Sequence, residues 1–208
     1  MSSFTGFTQQ DFEVFSIPGL EERMEALRDN VSPKLEAIAS DLAPDLTAMT
    51  GDEMFVHVAK HARRTTNPPN DTWAAIAANK RGYKKLPHFQ VGMWGTHVFI
   101  WFAVIYESPI KEDFAKTLLK NKKQVLSSVP DHFVWSIDHT KPDTLPHNEV
   151  DSKKLTQMLE RLKDVKKAEL LCGLTLNRDD DRLRDGDQFI NLCRWTFETL
   201  QPLYRYTK

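Results

Sequence analysis

Leu20, Met24, Leu27, Val31, Leu35, Ile38 and Leu42 recur at steps of three and four residues. That is the stripe of an amphipathic helix with one wet, acidic face. Pro33 falls inside the stripe, where a proline loses a hydrogen bond and clashes with the preceding turn. The pattern therefore predicts two helices, the second capped by Ser32, begun by Pro33 and ending near Pro44. Ahead of them, Thr8 caps a short helix through Phe12 and Phe15 that Pro18-Gly19 stops. From Asp52 the rhythm changes to two. Phe55, His57, Ala59 and His61 alternate with Val56, Val58 and Lys60, which predicts a strand. The run Thr65-Thr66-Asn67-Pro68-Pro69-Asn70 requires a loop. Thr72 to Ala78 reads as a strand, although its alanines also suit a helix.

Phe89 to Trp94 and His97 to Tyr106 flank Gly95-Thr96, a pair that fits a two-residue type II′ hairpin. The second of these strands is apolar on both faces, as a central strand covered on either side would be. Ser108-Pro109 predicts the start of a helix carrying Ile110, Phe114, Leu118 and Val125 inward. Phe133, Trp135 and Ile137 predict another strand, and Asp151 begins a helix with Leu155, Met158, Leu159 and Leu162. Leu170, Cys172, Leu174 and Leu176 mark one more strand face. A last helix, capped by Asp185 or Asp187, buries Phe189, Leu192, Cys193, Thr196, Phe197, Leu200 and Leu203. Clustered strands joined by hairpins, with helices before and after, predict an α+β fold with a largely antiparallel or mixed central sheet flanked by helices.

The 208 residues, 40% apolar and 27% charged, suit one domain spanning 1–208 with a sizeable core. The N-terminus lacks the basic start and apolar core of a secretory signal. The longest apolar run, Val98 to Tyr106, is nine residues, far short of the ~20 that a membrane-spanning helix needs. Two cysteines at core positions, Cys172 and Cys193, fit a reducing cytosol better than a disulfide scaffold. The expectation is a cytoplasmic protein with no membrane partner.

Charge alters this plain picture at one place. Residues 60–85 carry Lys60, Arg63, Arg64, Lys80, Arg81, Lys84 and Lys85 against Asp71 alone, a balance of 7 − 1 = +6. The 59 residues before them hold three basic and eleven acidic side chains, 3 − 11 = −8. A local positive field attracts phosphates and other anions. Arg forks and Lys ammoniums serve phosphate recognition, Tyr83 offers a ring for stacking, and Gly82 lets the backbone approach a ligand. The rival reading is a turn whose charges only keep a surface solvated.

Four-residue spacing of His57 and His61 would suit a metal on a helix. On a strand those positions lie about 13 Å apart, so no metal joins them. There they would share a face with Arg63 and extend the positive surface. His97, His132, His139 and His147 sit near strand ends or in loops and read as structural. The acidic run from Asn177 to Asp187 lacks the ligand alternation of a calcium loop, because Leu183 occupies one ligand position. No phosphate-cradling Gly-rich loop, His-Glu-x-x-His, Cys-x-x-Cys or Gly-x-Ser-x-Gly occurs. No cofactor is expected.

The segments Phe4-Thr5-Gly6-Phe7, Lys80-Arg81-Gly82-Tyr83-Lys84 and Pro87-His88-Phe89-Gln90-Val91-Gly92 through Phe99-Ile100-Trp101-Phe102 resemble the YktB-like family. This is a group of uncharacterised bacterial proteins, chiefly from Gram-positive species. The resemblance spans almost the entire chain. It implies a compact α+β fold in the cytosol and brings no reaction, cofactor or catalytic residue.

Three functions fit these observations. The first is binding of a phosphate-bearing ligand, a nucleotide or single-stranded nucleic acid. Lys80, Arg81, Lys84 and Lys85 would hold phosphate, Tyr83 would stack, and His57, His61, Arg63, Arg64 and His88 would extend the site. The second is a hydrolase using His57, His61 or His88 for acid–base work in the same groove. It predicts a deep pocket joining one of these histidines to a carboxylate. The third is a protein–protein adaptor whose acidic helices meet a basic partner, marked by a large exposed apolar patch.

Overall fold

The computed structural model describes residues 4–208. A short helix α1 (Gln9–Glu13) and a 3₁₀ turn (Val14–Ser16) lead to α2 (Leu20–Ala26) and α3 (Ser32–Thr50). These last two are not separated by a cap at Ser32. A single π turn, Leu27–Val31, joins them, and the Ser32 N–H reaches back to the Leu27 carbonyl. Widening the helix by one residue just before Pro33 absorbs its missing donor and its ring. Pro44 does not end α3 either. The helix runs on to Thr50 and stops at Gly51, whose φ of 77° is left-handed. Leu42, Ala43 and Leu46 around the proline are all buried. Their packing outweighs the ~3 kcal/mol that an interior proline costs.

The strands β1 (Phe55–Val58), β2 (Asp71–Ala77), β3 (His88–Trp94) and β4 (His97–Val104) follow. Helices α4 (Lys111–Lys120) and α5 (Lys122–Ser128) precede β5 (Val134–Ser136) and β6 (Leu145–Pro146). The chain ends with α6 (Ser152–Asp164), β7 (Leu170–Asn177) and α7 (Gly186–Arg205). One seven-stranded sheet results, in the order β1-β2-β3-β4-β7-β5-β6. Every neighbouring pair in it is antiparallel. The fold is α+β, with β4 and β7 central.

Several local expectations are corrected. Gly95 does not take the positive φ that a type II′ turn demands, so the β3–β4 hairpin closes differently. Ser108 does not cap α4 with its side chain. Its hydroxyl instead donates to the Lys85 carbonyl, 3.2 Å away, and ties the basic turn to the end of the β4 connection. The strand predicted through His61 stops at Val58, and His61 itself is left-handed, with φ 48°. Asp151 caps α6 and Asp185 caps α7, each accepting a backbone N–H from three residues on.

The alternation along β4 divides the sheet's two faces. Val98, Ile100, Phe102 and Val104 enter the main core with Leu35, Ile38, Phe114, Leu159 and Phe197 of the helices. Phe99, Trp101, Ala103 and Ile105 point the other way. They form a second, smaller cluster with Leu171, Trp73, Trp94 and Val134, to which no described helical residue belongs. Among the described residues, helices therefore pack on one face, and connections between strands close the other. Gly92 sits in the floor of this second face. A Cβ there would lie 2.4 Å from the Phe99 ring and 2.6 Å from Trp73 Cβ. Glycine is required for those two aromatics to cross the backbone.

Candidate functional site on the helix-free face

Antiparallel register sets which side chains meet on the helix-free face. His57 pairs with Ala75, Ala75 with Gln90, and Gln90 with Trp101. One step along, Trp73 pairs with Gly92 and Gly92 with Phe99. Small alanines beneath His57 leave depth, as the run Thr72 to Ala78 suggested. Two connections then fold over this floor, 59–64 after β1 and 80–86 before β3.

Gly82, left-handed at φ 69°, opens the 3₁₀ turn Tyr83–Lys85 and lets the chain double back. The turn drops the Tyr83 ring between His57 and His88, with centroids at 5.0 and 5.1 Å. The Tyr83 hydroxyl accepts a 2.8 Å hydrogen bond from Trp73 Nε1. Burial, against the effect of that bond, pushes the Tyr83 hydroxyl up to about 12, so it stays neutral. Tyr83 is thus a structural post, with His57 tilted over it, His88 in edge contact and its hydroxyl held by Trp73, where its sequence position suggested a free stacking plate.

His88 also departs from expectation. It is wholly buried, and its Nδ1 and Nε2 pair with the Leu86 carbonyl at 2.7 Å and Gln90 Nε2 at 2.8 Å. Burial lowers its pKa to about 4. A closed, neutral imidazole of this kind supports the turn. His61 packs edge-on against Trp73, and its Nε2 pairs with Thr72 Oγ1 at 3.1 Å. Burial, then Arg64 and Lys84, lower it to about 4. His57 Nε2 pairs with the Asn79 carbonyl. None of these three histidines is bonded to a carboxylate among the described residues.

The cations divide between two adjoining grooves. Arg63, Arg64, Lys84 and Lys85 line one of about 490 Å³, with Trp73 in its wall and Glu107 as its single acid. Lys80, Arg81 and His57 line another of about 840 Å³ along β1, which also holds Arg28 and Glu36. Lys60, His61 and Tyr83 border both. Among the described residues, Lys84 alone of these cations forms an ion pair, 3.8 Å from Glu107, and Lys80 rests over the Phe55 ring. The expected single concave wall is therefore two grooves that share a ridge.

Beyond Trp73 lies a constellation that the sequence did not reveal. Glu169, just before β7, is buried and accepts from the His139 backbone N–H at 2.9 Å. The same carboxylate holds His139 Nδ1 at 2.7 Å. Burial works against the charged imidazolium, but the Glu169 bond and charge outweigh it, and the His139 pKa rises. Asp71, the first residue of β2, is 7% exposed. Its own backbone N–H reaches its carboxylate, and no described side chain donates to it. Burial raises it to about 6, although His139, Arg64 and Lys84 pull the other way. Asp71 and His139 line one narrow cavity together with Trp73, Gln90, Trp94, Trp101 and Ser136. Thirty residues separate His139 from its carboxylate partner, so no local spacing could have disclosed the pair.

Among the described residues, no three His, Cys, Asp or Glu side chains are placed to share a metal ion. Both cysteines are free and buried, and no described helix is long and apolar enough to cross a membrane.

Known proteins place the chain. The family described as a domain of unknown function, DUF1054, matches residues 7–204. A UPF0637 protein of Bacillus licheniformis is 52% identical over 202 residues, covering 97% of this chain and 96% of its own. A UPF0637 protein of Shouchella clausii is 54% identical over 200 residues, covering 96% and 93%. One from Bacillus velezensis is 50% identical over 202 residues, covering 97% and 96%. With identity at this level from end to end, the chain belongs to the DUF1054 family, the bacterial YktB-like group.

Proposed function

We propose that this protein binds a phosphate-bearing ligand, a nucleotide or single-stranded nucleic acid, in the groove between residues 58–64 and 82–85. One observation carries the reading. Arg63, Arg64, Lys84, Lys85 and Lys60 border a single groove in which, among the described residues, Glu107 is the only acid. Cations on a solvated surface usually interleave with carboxylates, whereas these are gathered around a concavity with an indole in its wall. Two guanidinium forks from adjacent residues suit phosphate oxygens, and the Trp73 edge suits a base or ribose. Lys80 and Arg81, on the far side of the shared ridge, would guide a longer chain and not hold the first phosphate.

The test is fluorescence anisotropy with a labelled 12-residue oligouridylate at low and moderate salt. Affinity should fall steeply with salt, because each phosphate contact releases a counterion. Arg63→Glu with Arg64→Glu should weaken binding at least about tenfold and flatten the salt dependence. Binding that is absent at low salt, or indifferent to both reversals, removes the proposal.

A further inference from the structure

We propose that the open edge of β1 docks an extended acidic peptide, which joins the sheet as an additional antiparallel strand. The inference is independent of the phosphate-binding reading. It concerns the second groove, on the far side of the shared ridge.

β1 ends the sheet, with β2 as its one neighbour. Along an antiparallel strand, successive residues direct their N–H and C=O groups alternately toward the neighbour and away from it. The Ala59 N–H donates to the Trp73 carbonyl at 2.9 Å, which fixes the phase. Ala59, His57 and Phe55 therefore bond to β2, and Val56 and Val58 turn their main-chain groups outward. No described residue bonds to those outward groups. The opposite edge of the sheet is blunted, because β6 is two residues long and Pro146 within it has no N–H. Phe55–Val58 contains no proline and no Lys, Arg, Asp or Glu, the residues that usually protect an edge. Instead the edge faces a concavity. Val56 and Val58 both line the groove of about 840 Å³ that runs along β1. Four strand residues extend about 14 Å, which sets the paired length.

The two faces of an added strand would meet different chemistry. Val56 and Val58 point toward the main core, as do Met24 and Leu27, which line the groove beside them. His57 points to the other face against Tyr83, and Lys80 rests over the Phe55 ring there. Lys80 and Arg81 border the groove on that face, and neither has an ion-pair partner among the described residues. Glu36 is the one carboxylate among the described residues of this groove, against Arg28, Lys60, Lys80 and Arg81. Side chains alternate between the faces of a strand. The fitting segment therefore alternates an apolar residue, beside Val56 and Val58, with an acidic one, beside Lys80 and Arg81. Main-chain bonds would supply affinity and this alternation specificity. A nucleic acid could neutralise the cations, but it has no repeating main-chain amide to complete the edge. Pairing of two β1 edges would bring like cations together, which disfavours a second copy of this chain as the occupant.

The probe is a fluorescein-labelled eight-residue peptide alternating valine and aspartate, titrated with the whole protein and followed by anisotropy. In antiparallel addition its valines lie opposite Val56 and Val58, so the valine amides donate to the edge. N-methylation of those amides should weaken binding at least about tenfold. N-methylation of the aspartate amides, which face away from β1, should leave binding within about threefold. The same residues arranged as a valine block and an aspartate block should bind at least about tenfold more weakly, and so should the alternating peptide to Lys80→Glu with Arg81→Glu. Val56→Pro deletes one outward N–H and no bond to β2, and should weaken the probe by a similar factor. If that variant does not fold, the methylated pair on wild type decides the matter. Wild type that does not bind the alternating peptide, or binds both methylated forms or the block peptide equally well, overturns the inference. A dimer in sedimentation that Val56→Pro disperses overturns it too, because a second copy would then hold the edge. So does binding of a 12-residue oligouridylate that Val56→Pro weakens as much as it weakens the peptide, because the groove would then belong to nucleic acid.

Discussion

Replacing Asp71 by Asn should make the protein more stable at neutral pH. In an unfolded chain this carboxyl titrates near 3.8, and in the fold burial raises it to about 6. A group whose pKa is raised on folding favours the fold fully below its unfolded pKa, and that contribution is lost as pH rises through the folded value. Here the loss runs from about pH 4 to just above 6. A displacement of roughly two pH units is worth about 3 kcal/mol. Above pH 7 the folded protein bears that cost in full. The residue is 7% exposed, so solvent does little to relieve it. An Asn side chain keeps an acceptor for the backbone N–H and removes the buried charge. Allowing for some relaxation around the carboxylate, we expect Asp71→Asn to gain about 2 kcal/mol at pH 7.5, or ~4–8 °C in Tm for a chain of this size. At pH 4 the two proteins should unfold at nearly the same denaturant concentration. Urea titrations followed by tryptophan fluorescence at both pH values supply the measurement. An Asn variant equal to or weaker than wild type at pH 7.5 would refute the reasoning, since it would mean the carboxylate is satisfied. A gain at neutral pH is the signature of a group held for use and not for stability.

Tyr83→Phe removes the acceptor of the Trp73 Nε1 hydrogen bond, and should cost about 1 kcal/mol in chemical denaturation. It should also shift the tryptophan emission, and an unchanged spectrum and midpoint would show that water replaces the hydroxyl. Gly92→Ala forces a methyl to within 2.4 Å of the Phe99 ring and 2.5 Å of the Thr72 carbonyl. Overpacking of this kind should cost about 3 kcal/mol, read as a lower Tm, and no loss would mean that β2 and β4 are free to spread.

The composition of the basic stretch was legible in sequence, while the two-groove arrangement was not. Lys80 to His88 reads as a connection between strands, because Gly82 and Pro87 punctuate it, and the structure ends that connection one residue earlier, with His88 opening β3. Tyr83 and His88 are typical of exposed binding residues by type, yet both are consumed in holding the turn to the sheet. The two-residue rhythm predicts a strand through His61, but it continues past Val58, where β1 ends. Local patterns carry no information on where a neighbouring strand ends.

What the sequence determined by itself is the set of elements and their inward faces. Hydrophobic periods of two and of three to four residues follow from backbone geometry, so β4 announces itself as central and α7 as amphipathic wherever they lie. The α+β class, with a largely antiparallel or mixed sheet, follows from that order. Tertiary structure alone decided the chemistry. Asp71 appeared in the sequence as a minor offset to seven cations, and becomes a perturbed acid only because the sheet buries it. His139 and Glu169 acquire their relation through β7 returning between β4 and β5. A carboxylate and an imidazole interact through space over a few ångströms, and the chain records that distance nowhere except in the completed fold.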